Sequence, residues 1–301
     1  MSTQANAVAA APAEIKEIRP FYWSVRRELW EHRAIYVGPL AATAVFLAGF
    51  LITLGRLPHE MRELAAMDSM SQHDRIVVPY DMAAGLLMLV QILVSVFYCL
   101  DAFQSERRDR SILFWKSLPV SDRTTVLAKA SVPLAILPFL IIVCIVFLQL
   151  AILLLSALVL SGSGQSTELL WRHAPWFRMA LLVSYHILMV HTLWYAPFYG
   201  WLLFVSAWAR RATYLWAFLP LLAAGFLEKI LFNTAHFADF LTYRLGGGTD
   251  SVAPVGRMPI DTMTHLTPLH FLATPGLWIG FGLTAAFLAA AERLRRYREP
   301  S

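Results

Sequence analysis

Six apolar runs of near-span length, separated by short polar connections, constrain this chain more than anything else in it. They lie at about residues 37–54, 82–103, 130–160, 179–209, 213–231 and 272–291. A bilayer crossing takes roughly 20 apolar residues, and every backbone group in it must be hydrogen-bonded within the segment, so each run reads as a helix. A soluble domain carries about a quarter charged residues; this chain carries 15%. The expectation is an all-α membrane protein with one transmembrane domain over residues 37–291.

The charge is basic, with 25 Lys and Arg against 20 Asp and Glu. Its distribution excludes a nucleic-acid module, because the cations cluster at the ends of the apolar runs rather than on a separate domain. Counted in alternate connections they become a topology signal. One side holds 17, in the N-terminal segment, residues 104–129, Arg210-Arg211 and the last ten residues. The other side holds Arg56, Arg62, Arg75, Arg172, Arg178, Lys229, Arg244 and Arg257. The positive-inside rule places the richer side, and both termini, in the cytoplasm. Cys99 and Cys144 both lie inside apolar runs and read as packing residues.

Residues 1–13 are Ala-rich and read as a disordered tail. Residues 14–36 follow as an amphipathic helix. Ile18, Tyr22, Val25, Leu29 and Tyr36 share one face, Ser24, Arg27, Glu28 and Glu31 the other, and Trp23 and Trp30 flank the apolar side. Indoles at such positions suit the headgroup level, so the segment is expected to lie in the membrane interface. Residues 56–81, with Pro58 and Pro79, read as a polar connection. Pro133 and Pro138 permit a kink at the start of the third run. The fourth and fifth runs almost touch at Arg210-Arg211, which predicts a tight helical hairpin. Residues 292–301 form a basic tail.

The connection at 104–129 is more than a linker. It opens with Glu106, Arg107, Arg108, Asp109 and Arg110, turns apolar at Ile112-Leu113-Phe114-Trp115, and stops at Leu118-Pro119. Asp109 or Ser111 can cap a short helix that Pro119 ends. The chain restarts at Ser121-Asp122-Arg123 and reaches Lys129 at the base of the third run. A charged connector with a compact apolar face is built to dock.

This arrangement resembles the permease subunit of a type-two ABC exporter. The resemblance rests on the interfacial helix, the six spans, the Glu106–Arg110 run, the apolar patch at 112–115, the Leu118-Pro119-Val120-Ser121 turn and Lys129. It implies a cytoplasmic coupling helix between spans 2 and 3 that docks on a separate ATPase through Arg110, Ile112, Leu113, Phe114, Trp115, Lys116, Leu118 and Pro119. It also implies ATP and Mg bound by that partner and none here, a second permease copy as a homodimer, and amphipathic or lipid-like cargo. The chain lacks the GxxxxGK[ST] phosphate loop, in keeping with a partner that carries the nucleotide.

Other chemistry is sparse. The polar residues within apolar runs include Gln91, Ser95, Asp101, Gln149, Ser184, His186, His191 and Glu228, and such residues are functional candidates. His186 and His191 are five apart, which on an α-helix turns them about 140° from each other; they read as pathway-lining or interhelical groups rather than a ligand pair. No HExxH occurs and no metal site is expected. The alternatives to a permease are an intramembrane metal-binding enzyme and a non-transporting anchor for a cytoplasmic partner. The weakly polar segment 232–271 is expected to dip back from the outer face as a re-entrant element.

Overall fold

A computed structural model of the chain describes residues 19–108, 120–246 and 268–297. All regular structure among them is helical. Six stretches are long and apolar enough to cross a membrane: Ala34–Leu64, Ser69–Arg108, Asp122–Gly162, Glu168–Trp194, Thr213–Phe232 and Pro275–Tyr297.

Helix α1 (Pro20–Glu31) precedes α2 (Ala34–Thr53), and the chain bends at His32-Arg33. The expected single helix over 14–36 is therefore two, with Tyr36 in the first span; the residues before Arg19 lie outside the described part. The polar side of α1 is the buried one: Ser24 and Glu28 face the bundle, while Tyr22, Trp23 and Trp30 are exposed and Val25 and Leu29 half-buried.

The polar connection expected at 56–81 is instead α3 (Leu57–Leu64) followed by the first turns of α4 (Ser69–Asp101). Asp68 caps α4 by accepting from the Ser71 amide. Pro79 sits inside α4. Sequence polarity misleads here because α4, at 33 residues, is about 50 Å long and outruns the bilayer. Its extra turns bury His73, Ile76, Val77 and Tyr80 against neighbouring helices.

After α5 (Gln104–Arg108) the third crossing runs as α6 (Asp122–Ser131), a π-helical turn at Val132–Ile136, and α7 (Leu137–Gly162). The expected irregularity near Pro133 is this π-turn, where a missing amide donor is absorbed without ending the helix. Ile141, Ile145, Leu148 and Ile152 make a fully buried stripe on α7, which packs on α4 and α2.

The short α8 (Glu168–His173) leads to α9 (Trp176–His186), a longer π-helical stretch at Ile187–Trp194, and α10 (Ala196–Trp208). Pro197 falls in the first turn of α10, where no amide donor is needed. The predicted hairpin is present: α10 passes to α11 (Thr213–Phe232) through a turn in which Ala212 adopts a left-handed conformation.

Beyond α11 come α12 (His236–Leu245), α13 (Pro268–Ala273) and α14 (Pro275–Tyr297). Helix α14 packs closely along α10. Gly200 permits it, since a Cβ there would stand 3.3 Å from the Thr284 backbone. In lipid, where burying apolar side chains gains little, helices associate through such close small-residue packing. Of the spans, α11 is the most peripheral, burying only Thr213 and Ala217.

Candidate functional site

Five helix ends meet at one end of the bundle, and they are held by charge. Lys129, fully buried on α6, places Nζ 2.9 and 3.1 Å from the two carboxylate oxygens of Glu28 on α1. The same ammonium lies 3.1 Å from Glu106 on α5 and donates to the Ala102 carbonyl at 2.6 Å. Arg27 bridges Glu28 at 2.8 Å and Glu106 at 2.7 Å. From α14, Arg295 reaches Glu106 at 2.6 Å and Asp122 at 2.9 Å. Tyr98 on α4 donates to Glu28 at 2.9 Å. Three carboxylates thus face three cations, and Phe103 lies beneath two of them, 5.3 Å from Lys129 Nζ and 6.0 Å from the Arg295 guanidinium.

The balance matters. Moving single ions into such a place costs several kcal/mol each, and only close pairing with satisfied lone pairs recovers it. Burial alone would push the Glu28 carboxyl up, but the charges of Lys129 and Arg27 and the hydrogen bond from Lys129 outweigh it and hold the group below its ordinary range. Burial pushes the neighbouring His32 imidazole down, against the opposing pull of Glu28.

A second tie joins the fifth helix end. Arg107 on α5 donates to the carbonyls of Ala207 at 2.9 Å and Ala209 at 2.8 Å, and also contacts the Ser206 carbonyl. These are end carbonyls of α10, which a helix leaves without intrahelical partners. Ser206 in turn donates to the Leu100 carbonyl and accepts from the Phe103 amide.

The cluster sits at both roots of the central connector. Glu106 and Arg107 lie just before residue 109, and Asp122 and Lys129 follow residue 119. The expected docking residues themselves, Arg110, Ile112, Leu113, Phe114, Trp115, Lys116, Leu118 and Pro119, lie outside the described residues. Sequence reasoning singled out Lys129 and the Glu106–Arg110 run, but placed Glu28 on a polar face away from the apolar side and gave Arg295 no role.

The opposite end is built differently. Segment 232–271 contributes α12, whose start is capped by Glu228 accepting from the His236 and Phe237 amides. Its end reaches Trp194 and Tyr195, which donate to the Arg244 and Leu245 carbonyls at 2.8 and 2.6 Å. The Arg244 guanidinium lies 4.3 Å from the Trp194 ring centre and donates to the Gly276 carbonyl. A Cβ on Gly280 would stand 1.8 Å from Arg244 Nη2, so glycine opens the slot.

His186 and His191, expected to diverge, come together with ring centres 5.5 Å apart. The reason is the π-helical stretch between them. Its i→i+5 bonding, seen in the Tyr195 amide donating to the Val190 carbonyl, brings residues five apart onto one face.

No family model, no curated protein and no solved structure matches the chain.

Proposed function

We propose that this chain is the permease subunit of an ATP-driven exporter of the type-two ABC class, with nucleotide and Mg bound by a separate ATPase chain. One observation carries the reading: the ion cluster ties both roots of the connector at 109–119 to α1, α4, α6, α10 and α14. A docking segment on a soft loop would lose any displacement in the loop. A docking segment rooted in a buried, charge-matched cluster hands its displacement to five helix ends together. The apolar patch at Ile112–Trp115, with Arg110, Lys116, Leu118 and Pro119 around it, has the residue types that anchor interfaces.

The lysine and arginine count supports a cytoplasmic clustered end with both termini there, and the membrane in this reading is the plasma membrane of a bacterium. Helix α1 then lies at that face, its ionic side on the bundle and Tyr22, Trp23 and Trp30 toward lipid. Helices α12 and α13 belong to the outer side as the re-entrant element. Two copies of the chain form the pathway, and the cargo is amphipathic or lipid-like.

The test is co-purification of the chain with a Walker-loop ATPase and hydrolysis by the complex. Trp115→Glu is expected to abolish ATPase association while the permease still inserts, because a carboxylate replaces an aromatic anchor. Unchanged association would reject the docking assignment. Association without nucleotide-dependent movement would favour an anchor instead.

A further inference from the structure

The imidazoles of His186 and His191 lie outside the ion cluster, and the proposed function leaves them unused. They share one face because the helix widens between them, and a π-turn is a costly device often found at functional sites. Nδ1 of His191 is buried and has no hydrogen-bond partner among the described residues. His186 is half-buried. Two imidazoles turned onto one face, one of them with a buried and unpartnered ring nitrogen, offer two of the donors that a coordination shell needs.

The ring spacing is compatible with one ion held between the two imidazoles. With metal–nitrogen bonds of about 2.0–2.1 Å, a metal lies about 3.2 Å from each ring centre, so two imidazoles at a tetrahedral angle have centres about 5.2 Å apart. The observed separation is 5.5 Å. Imidazole nitrogen suits zinc and copper rather than calcium or magnesium, which take oxygen. Tyr195, whose ring centre is 5.6 Å from that of His191, has its hydroxyl committed to the Leu245 carbonyl. Among the described residues no third His, Cys, Asp or Glu joins the pair. A structural zinc site would be closed by four protein ligands; this one leaves positions for water or an exchanging ligand.

We infer that His186 and His191 form a two-imidazole site in the half of the bundle away from the ion cluster, and that it takes an exchangeable late transition-metal cation, zinc or copper. The inference is independent of the permease reading, since it needs only the π-helical stretch and the two rings.

The test titrates the purified full-length chain with Zn²⁺, and separately with Cu⁺ under reducing conditions, against a chromogenic chelator. About one ion per chain is expected, falling at least tenfold in occupancy in His186→Asn/His191→Asn. A second pair, His73 and His173, has ring centres 5.8 Å apart; His73→Asn/His173→Asn is expected to retain the ion. X-ray absorption on the loaded wild-type chain should show two imidazole nitrogens at about 2.0 Å, which tests the site even if a variant misfolds. No bound ion in the wild type, loss of the ion with the His73/His173 variant instead, or an absorption spectrum without imidazole scattering would each overturn the proposal.

Discussion

The two ends of this bundle handle buried polar groups in opposite ways. At the clustered end Arg27, Lys129, Arg295, Glu28, Glu106 and Asp122 each meet an opposite charge within 3.1 Å, and Glu31 adds a longer 3.6 Å contact to Arg27. At the other end Arg244 is 5% exposed, pairs with no carboxylate among the described residues, and leaves Nη2 without a hydrogen bond. It is held by an aromatic face and a carbonyl instead. Matched charges join α1, α5, α6 and α14, and breaking any pair strands an ion.

The largest effect is expected from breaking the matched end. Lys129→Ala leaves Glu28 and Glu106 facing each other with one shared cation lost, and should destabilise the chain by about 3–5 kcal/mol. Thermal unfolding in detergent measures it. The sharper version is the double change Glu28→Gln/Lys129→Met, which removes one ion of each sign. It should recover part of the loss, whereas independent sites would simply add. Strict additivity would mean that the cluster does not act as a unit.

Next comes the slot at the other end. Gly280→Ala forces its Cβ into Arg244 Nη2 and should cost about 1–3 kcal/mol as an overpacked site. Gly282→Ala is the internal control, because nothing lies within 4 Å of its Cβ position. There a methyl should stabilise the helix by up to about 1 kcal/mol. Opposite signs two residues apart on one helix would establish that the slot is specific to Arg244. Equal signs would reduce it to ordinary helix propensity.

Much of this architecture is legible in the sequence, and the failures have definite causes. Span number follows from apolar length, and the α10–α11 hairpin from the absence of a linker at Arg210-Arg211. The polar character of 56–81 is legible but its helicity is not, because hydropathy reports lipid contact and α4 extends well beyond its apolar part. The pairing of His186 with His191 is invisible to a 100° wheel, since nothing in Ile187–Trp194 announces a π-helix before the hydrogen bonds are known. Glu28 is misplaced for a different reason. Amphipathicity identifies two faces but not which one meets the protein; that depends on Lys129, one hundred residues away.

A smaller effect follows from pH. Glu28 titrates below its ordinary 4.5 and His32 below its ordinary 6.5. Both folded values are depressed, so both groups contribute stability that is full above the unfolded value and is lost as pH falls through the folded one. Acidification below about 6.5 should therefore lower the melting temperature first through His32, and further below 4.5 through Glu28. Glu31 opposes this, because burial raises its carboxyl. Glu28→Gln should flatten the lower part of the profile and steepen the upper part, because it removes the charge that opposes the burial of His32. A profile unchanged by that substitution would place the acid sensitivity elsewhere.

The smallest stability change belongs to the exposed side of α1, and it separates anchoring by ions from anchoring by lipid. Arg26 lies 4.4 Å from the Trp30 ring centre and 5.2 Å from that of Trp23, a stack worth about 0.5–1 kcal/mol at an exposed site. Because Glu28 already holds the helix to the bundle, Trp30→Phe should shift unfolding by no more than about 0.5 kcal/mol. Its fluorescence should differ from wild type by an emission that brominated lipid quenches, as an indole at the headgroup level requires. If the lost emission is instead quenched by a water-soluble quencher and not by lipid, the exposed face of α1 meets solvent, and the helix is held to the bundle by Glu28 and its partners alone.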